Sequence, residues 1–387
     1  MDDIYLLMII ALAVLAIAYL VVGVSNDAVN FLNSAIGSKA ISFKTIMIVA
    51  SVGVGIGAIF SSGMMEVARK GIFNPGAFYF DEIMIVFMAV MITDILLLDF
   101  FNTLGMPTST TVSIVFELLG AAVAMAMVKI VANNGNVSEL VNYINTDKAT
   151  QIIFGILLSV VVAFAIGAFV QWISRLLLSY DFGTKPKWIG ALFGGFALTA
   201  ITYFIFMKGL KGTSYANQNF EILGGGTMKN FLETQVLQIV LVNAVFWSLL
   251  SYALIALVKT NIYKLIIIVG TFALALAFSG NDLVNFIGVP IAAFNSYEAF
   301  VSSGKLASEF SMEVLAKKVP TNNWLLFIAG MIMVITLWFS SKAKQVVKTS
   351  IDLSSQGETK ERFQPNFLSR SFVRFAVATS ELVSMLI

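Results

Sequence analysis

The chain has 387 residues, of which 58% are hydrophobic, with a mean hydropathy of +0.90 and a formal net charge of +2. This apolar usage exceeds that of soluble domains, and its arrangement in runs of about 20 residues predicts a multi-pass membrane protein. Cysteine and histidine are both absent, which excludes disulfides, thiolate or imidazole metal sites, and any mechanism that needs a cysteine or histidine nucleophile or an imidazole base.

Nine apolar segments have the length and composition of membrane spans. Their apolar runs are continuous and do not alternate with polar positions, so we expect helices and not the strands of an outer-membrane barrel. The fold class is therefore all-α, a polytopic protein of the inner (cell) membrane. The predicted spans lie near 4–22, 44–63, 83–104, 111–131, 151–178, 189–207, 235–258, 262–279 and 324–341.

We divide the chain into four parts on the basis of these spans and of the motifs below. Lysine and arginine outnumber acidic residues between 342 and 374, which predicts a cytoplasmic location for that segment. The parts are 1–131, a first transmembrane repeat; 132–261, connecting transmembrane helices; 262–341, a second repeat; and 342–387, a basic cytoplasmic tail or loop.

The sequence S-N-D-A-V-N-F at 25–31 interrupts the first apolar segment with Asn26, Asp27 and Asn30. Burying a carboxylate and two carboxamides in a bilayer costs several kcal/mol unless the groups find partners. A helix cap would need one such residue and not three. We therefore expect these side chains to line a cavity and to bind a ligand there.

The same pattern, N-D-x-V-N-F, returns near the end of a later apolar segment as S-G-N-D-L-V-N-F at 279–286, with Asn281, Asp282 and Asn285. We expect a helix break after each copy, in N-S-A-I-G-S-K-A and in I-G-V-P-I-A-A-F-N-S. Matched interruptions in two halves are typical of inverted-repeat transporters with broken helices at the binding site. The oxygens of Asp and Asn are hard ligands that suit Na⁺. The predicted cation-binding residues are Asn26, Asp27, Asn30, Asn281, Asp282 and Asn285.

A second element, G-M-P-T-S-T-T-V-S at 105–113, places four hydroxyl residues, 108–111, directly after Pro107. Proline ends the preceding helix and Ser or Thr caps the next one, so an ordinary capped helix is one interpretation. Four hydroxyls exceed what a cap needs, and a helix N-terminus attracts anions. Phosphate still carries a proton near neutral pH and can donate it to a carboxylate, whereas sulfate cannot, which favours phosphate. The predicted phosphate-binding residues are Asp27, Ser109, Thr110, Thr111 and Asp282.

These motifs resemble the inorganic phosphate transporter (PiT) family, whose signature G-A-N-D-V-A-N-A occurs in both halves and is followed by a P-x-S-T-T segment. The resemblance covers residues 1–131 and 262–300. It implies an Na⁺- or H⁺-coupled phosphate symporter with an inverted repeat and a homodimeric arrangement. It also implies that the six motif residues hold cations and phosphate, and that Ser109, Thr110 and Thr111 bind phosphate.

Two departures from the family pattern concern the hydroxyl segment. Val112 stands where the family commonly has histidine. The second half has no P-x-S-T-T, since the equivalent spacing falls near Pro365 in the basic segment. We therefore expect the second repeat to be incomplete here and its hydroxyl segment to lie beyond Ile387; the alternative for the apolar end is a short amphipathic helix at the cytoplasmic face.

Three further acids, Asp94, Asp99 and Glu117, lie within or near predicted spans. Intramembrane acids are functional candidates by default. We expect Asp99 near a membrane surface and Glu117 to act as a proton or cation carrier beside the hydroxyl segment.

Two other features predict contacts between helices. Gly53 and Gly57 form a G-x-x-x-G pattern, which indicates close helix packing or a dimer face. Glu66 and Arg69 lie three residues apart, as in a structural ion pair on one helix face.

The sequence leaves three functions open. Cation-coupled phosphate symport comes first, with Na⁺ or H⁺ as the coupling ion and no other cofactor. A symporter of another oxyanion, such as sulfate, comes second. An intramembrane metal-dependent phosphatase using Asp27 and Asp282 comes third, and the repeat symmetry argues against it, so we expect a protein that is not an enzyme and does not bind nucleic acid.

Overall fold

A computed structural model of the chain describes residues 2–61, 71–179, 183, 185–207, 218–220, 226–316, 322–354 and 367–386. Within these ranges the regular elements are helices, joined by isolated bridges such as Phe73 with Ile144. The predicted pair of Glu66 and Arg69 and the position of Pro365 lie outside the described residues.

The α-helices are numbered in chain order. The first seven are α1 (Asp2–Asp27), α2 (Val29–Ser38), α3 (Phe43–Ile59), α4 (Phe80–Leu104), α5 (Thr110–Ala132), α6 (Leu140–Tyr143) and α7 (Thr146–Leu178). The others are α8 (Lys187–Ile205), α9 (Met228–Thr234), α10 (Val236–Ala253), α11 (Ile262–Ser303), α12 (Asn323–Phe339), α13 (Ser341–Ser354) and α14 (Phe367–Leu386). The described residues also form short 3₁₀ turns at Pro75–Ala77, Val137–Glu139 and Met312–Ala316 and a π-helical turn at Leu254–Val258.

The chain forms two compact units. The first, Met1–Ser350, contains α1 to α12 and most of α13, and the second, Ile351–Ile387, contains α14. In the first unit α13 buries Ala343, Val346 and Val347, so its basic sequence is the exposed side of a packed helix.

The nine predicted spans coincide with helices in the described residues, which confirms an all-α polytopic fold. Seven helical segments in the described part of the chain are long and apolar enough to cross a membrane, and a bent pair would make eight. That pair is α12 with α13, which meet at 66°. The difference arises partly at α3, because its 17 residues rise only about 25 Å, less than a full hydrocarbon core.

The core of the first unit is built around α11, which packs against α1, α3, α4 and α5. This helix approaches the glycines of α3 closely. A Cβ atom on Gly53 would lie 2.7 Å from the carbonyl oxygen of Phe272, and one on Gly57 would overlap the carbonyl oxygen of Leu276. The G-x-x-x-G pattern therefore serves close helix packing, the first of its two interpretations.

The breaks between helices agree only in part with those that the sequence predicted. α1 and α2 are separated by Ala28 alone, whose φ of −53° and ψ of −28° are helical. α12 and α13 are separated at Ser340, close to the predicted end of the last span.

The expected break after the second motif is wrong, because α11 continues through 279–286 and through Pro290 to Ser303. Proline removes one backbone hydrogen bond from a helix. Here the neighbours Val289 and Ile291 are buried in the core, and that packing stabilises the helix across the missing bond.

Candidate functional site

The hydroxyl segment forms the start of α5, as predicted. α4 ends at Gly105, whose φ of +65° allows the N–H of Gly105 to bond Asn102 O and that of Met106 to bond Phe101 O. Ser109 is the N-cap of α5, and its hydroxyl accepts a hydrogen bond from Val112 N at 3.3 Å. The chain thus reverses between two membrane helices and presents the positive end of α5 to the interior.

The side chain of Asn26 braces this reversal. It is fully buried, and its Nδ2 donates to Asn102 Oδ1 at 2.8 Å and to Met106 O at 3.1 Å. Its Oδ1 accepts a hydrogen bond from Thr108 N at 2.7 Å. Asn102 in turn donates to Val22 O at 2.8 Å. These contacts fix the loop before α5 to the end of α1; that Asn26 binds a cation stays a prediction.

Asp27 lies against the first turn of α5. It is only 2% exposed, and its Oδ2 accepts a hydrogen bond from Thr110 Oγ1 at 2.6 Å. Asn30 Nδ2 contacts Asp27 Oδ1 at 3.4 Å, while the Asn30 side chain itself is exposed. The carboxylate of the first motif is therefore hydrogen-bonded to Thr110.

The second motif reaches the next residue of the same turn. Thr111 Oγ1 donates to Asp282 Oδ1 at 3.3 Å, and Asn285 Nδ2 donates to Thr111 Oγ1 at 2.8 Å and to Asp282 Oδ1 at 3.1 Å. Asn281 Nδ2 bonds Ala277 O at 2.8 Å within α11. The structure thus joins both predicted motifs and the hydroxyl segment at one point, the N-terminus of α5.

The phenylalanines of the two motifs hold α1, α2 and α11 together behind this point. Phe31 and Phe286 are both buried. The ring of Phe286 lies against Gly23, where it occupies the space that a Cβ would need, and contacts the ring of Tyr19 edge-on at 5.3 Å between centroids. Phe31 contacts Phe278 at 5.0 Å between centroids. The last position of N-D-x-V-N-F therefore serves packing.

Two of the additional acids meet one turn further along α5. Ser113 Oγ lies 2.6 Å from Asp94 Oδ1 and 3.0 Å from Glu117 Oε1. Asp99 lies apart from this cluster and forms a half-exposed ion pair with Lys342 Nζ at 2.5 Å. That Asp99 lies near a membrane surface stays a prediction.

Sequence reasoning missed three polar groups near the site. Ser25 Oγ and Ser340 Oγ are 2.7 Å apart, so the break between α12 and α13 contacts the first motif. Ser113 bridges the two acids, and Tyr19 lies buried beside Asp94. The spacing of Ser113 and Glu117, four residues on one helix, was a visible signal for one of these contacts.

Comparison with known proteins gives three kinds of match. The family described as "Phosphate transporter family" matches residues 23–350. Two archaeal relatives are each named "Putative phosphate permease". The one from Pyrococcus furiosus is 25% identical over 312 residues, which cover 79% of this chain and 67% of the relative. The one from Thermococcus kodakarensis is 27% identical over 320 residues, with coverages of 79% and 68%.

A solved structure described as "The sodium-dependent phosphate transporter" is similar in fold. Its TM-score with this chain is 0.59 at 20% identity, over 91% of this chain and 79% of that one. At this identity the likeness bears on the fold alone.

Proposed function

Because this chain belongs to the phosphate transporter family, we propose that it carries inorganic phosphate across a membrane by symport with a cation, Na⁺ or H⁺. The family is one of transporters and not of enzymes, so the phosphatase alternative is set aside. The observation that carries the proposal is the meeting of Asp27 and Asp282, through Thr110 and Thr111, at the N-terminus of α5.

The first turn of α5 suits an oxyanion. The first N–H groups of a helix have no partner within it, and they lie at the positive end of its dipole. Ser109 and Thr111 are exposed and can add hydroxyl donors. We assign phosphate binding to Ser109, Thr110 and Thr111, with Asp27 and Asp282 as the carboxylates that face the bound ion.

The same carboxylates favour phosphate over sulfate. Asp27 and Asp282 would repel a fully deprotonated oxyanion, because such an ion has no hydrogen to donate to their carboxylates. Phosphate near neutral pH keeps at least one proton and can donate it to a carboxylate oxygen, which turns part of the repulsion into a charge-assisted hydrogen bond. Sulfate remains the alternative substrate, and the uptake assay below distinguishes it from phosphate.

The coupling cation would lie where the two motifs offer oxygen atoms. Asn30, Asn281 and Asn285 each use the side-chain nitrogen in a hydrogen bond, which leaves the carboxamide oxygen of each for a ligand. Asp27 and Asp282 supply the negative charge that an Na⁺ ion needs in a membrane interior. We propose these five residues as the cation ligands and Asn26 as the residue that positions the loop.

Two further expectations stand as proposals drawn from the family likeness. One is residence in the cell (inner) membrane, and the other is a homodimer. The helix α7 has no buried residue in the described single chain and is apolar over most of its length. Such a helix needs lipid or a second copy of the chain around it.

Reconstitution tests the proposal. The full chain in liposomes, with radiolabelled phosphate outside, should accumulate phosphate when an inward Na⁺ or H⁺ gradient is imposed, and should stop when an ionophore collapses that gradient. Unlabelled phosphate should compete and equimolar sulfate should not. Accumulation that no cation gradient affects would overturn symport, and equal competition by sulfate would overturn the choice of substrate.

A further inference from the structure

A second polar cluster lies directly behind the proposed site. Thr110, Ser113 and Glu117 are spaced by three and four residues, so they share one face of α5. Thr110 bonds Asp27, and Ser113 lies 2.6 Å from Asp94 of α4 and 3.0 Å from Glu117. The cluster of Asp94, Ser113 and Glu117 is thus about one helical turn from the carboxylate that faces phosphate.

The hydrogen atoms in this cluster are too few for two ionised acids. A serine hydroxyl has one hydrogen and can donate to one carboxylate at a time. Ser113 Oγ nevertheless lies within hydrogen-bond distance of both Asp94 Oδ1 and Glu117 Oε1. The second contact becomes a hydrogen bond only if that acid carries its own proton and donates it to Ser113.

Unpartnered oxygens around the cluster also indicate that one of the two acids carries a proton. Asp94 Oδ2 and Glu117 Oε2 are buried without a hydrogen-bond partner, and so is the hydroxyl of Tyr19. Tyr19 and Asp94 are both 0% exposed. The Tyr19 hydroxyl lies close to Asp94, though outside hydrogen-bond geometry. Burying an unpaired charged oxygen costs far more free energy than burying a carbonyl oxygen. The unpartnered oxygens therefore favour the binding of positive charge at this cluster.

Among the described residues, the charged groups that lie near the cluster are acidic. On α1 Asp27 lies near Asp94, and on α11 Asp282 lies near Asp27. Lys129 is paired with Glu82 and Lys342 with Asp99, so neither lysine serves this cluster.

We propose that the cluster is a proton-binding site in which Glu117 holds one proton and Asp94 stays ionised. The assignment between the two acids follows from their donors. Asp94 accepts a hydrogen bond from the Ser113 hydroxyl at 2.6 Å and has the Tyr19 hydroxyl nearby, so it is the acid better placed to stay ionised. Glu117 has only Ser113, to which it donates when protonated; its Oε2 is then a neutral carbonyl oxygen.

The role of this proton in transport rests on the proposed function. Protonation of Glu117 lowers the negative charge behind Asp27 and Thr110, where phosphate and its cation are expected to arrive. Loss of the proton restores that charge and repels the anion. The site would therefore couple proton movement to phosphate movement without belonging to either Asn-Asp motif.

Infrared spectroscopy of the purified full-length chain tests proton binding without any transport assay. The wild type should show a protonated carboxyl band at neutral pH, and Glu117→Gln should lack it. Asp99→Asn, which removes a half-exposed acid elsewhere, should keep it. A wild-type band that survives in Glu117→Gln would overturn the proposal. Disappearance of the band on adding NaCl would also overturn it, because Na⁺ would then be the occupant.

Uptake measurements then separate this inference from the proposed function. Glu117→Gln imitates the protonated acid, so phosphate binding should persist while accumulation driven by a proton gradient falls to the downhill level. Asp94→Asn should lose proton-driven accumulation and also the remaining downhill uptake of phosphate. Unchanged proton-driven accumulation in Glu117→Gln would overturn the coupling role, whereas absence of uptake by the wild type would count against the proposed function and leave the spectroscopic result intact.

Discussion

Thr110 and Thr111 are neighbours on α5, yet their hydroxyls contact carboxylates from distant parts of the chain, Asp27 at 2.6 Å and Asp282 at 3.3 Å. Successive helical residues point about 100° apart. α1 and α11 therefore reach α5 from different sides, and one helix N-terminus joins two motifs that are about 250 residues apart in sequence. This arrangement makes the two carboxylates separable by mutation.

The first prediction concerns the two carboxylates. Asp27→Asn and Asp282→Asn should each abolish cation-coupled phosphate accumulation in liposomes while the protein still inserts into the membrane. Each change removes the charge and keeps the size, and Thr110 or Thr111 can still donate to the carboxamide oxygen. Wild-type rates in both variants would refute the assignment of the cation site.

Asp99→Asn is the matched control for this prediction. Asp99 is an acid in an apolar helix, but it is 48% exposed and paired with Lys342. An exposed ion pair contributes at most about 1 kcal/mol, so stability and uptake should change little. A loss of uptake equal to that of Asp27→Asn would mean that any acid in this region matters, whatever its contacts.

The second prediction concerns the hydroxyl of Thr111. Thr111→Val keeps the shape of the side chain and removes a donor, so the affinity for phosphate should fall more than the affinity for the cation. A hydrogen bond to a charged ligand contributes about 1.5–3 kcal/mol, or roughly ten- to a hundredfold in affinity. Equilibrium binding of phosphate at several cation concentrations measures both affinities.

Thr45→Val provides the comparison. Thr45 also lies in the first turn of a helix, where its hydroxyl is 2.7 Å from that of the capping Ser42. It is partly exposed and lies outside both motifs and outside the hydroxyl segment. If Thr45→Val weakened phosphate binding as much as Thr111→Val, loss of helix capping would explain both results.

The sequence was sufficient to predict the helices and to select the residues that the structure brings together at the N-terminus of α5. Long apolar runs indicate helices because a bilayer leaves no other way to satisfy the backbone. Pro107 and the hydroxyls after it predicted the start of α5 for a local reason, the chemistry of a helix cap. The duplicated motif identified Asp27 and Asp282 because charges are rare in such a segment.

Other features depend on packing that no local pattern encodes. Pro290 and the polar residues around it predicted a break, but buried neighbours keep α11 continuous. Asp94 and Glu117 could be selected as intramembrane acids, yet their link through Ser113 required α4 to lie beside α5. The contact of Ser25 with Ser340 joins residues 315 positions apart, and Ser340 has no distinctive sequence context.

The third prediction tests the role of Asn26. Asn26→Asp keeps an oxygen for the Thr108 N–H but replaces the donor that serves Asn102 and Met106 with a second, charged oxygen. If Asn26 braces the loop, this variant should unfold at lower temperature in detergent and bind phosphate weakly, with a loss of at least about 2 kcal/mol from unsatisfied buried groups. If Asn26 were mainly a cation ligand, the added charge should preserve or strengthen cation affinity.

Asn33→Ala is the control for that measurement. Asn33 is an asparagine of α2 that lies just after the first motif. Its side chain makes one part-buried hydrogen bond, to Ser350 at 2.9 Å. Its removal should cost about 0.5–1.5 kcal/mol and leave phosphate binding intact. Equal destabilisation by the Asn33 and Asn26 variants would contradict the bracing role.

The last prediction concerns two glycines of α3 that differ only in what they face. Gly57 lies against α11, where a Cβ would overlap Leu276 O and lie 3.0 Å from Ser279 Cβ, while a Cβ on Gly55 would meet nothing within 4 Å. In an exposed helical position, Gly→Ala stabilises a helix by roughly 0.5–1 kcal/mol. Gly57→Ala must instead move α3 away from α11, and overpacking of this kind costs about 1–3 kcal/mol.

Gly55→Ala should therefore raise or maintain the thermal unfolding temperature in detergent, and Gly57→Ala should lower it. Uptake should follow the same order, because Ser279 begins the second motif and a displaced α11 would carry Asp282 and Asn285 away from Thr111. Equal unfolding temperatures in the two variants would show that α3 and α11 do not pack this closely. A destabilised Gly57→Ala protein with normal phosphate affinity would show that the site tolerates movement of α11, and the contact of Asp282 with Thr111 would then not be needed for binding.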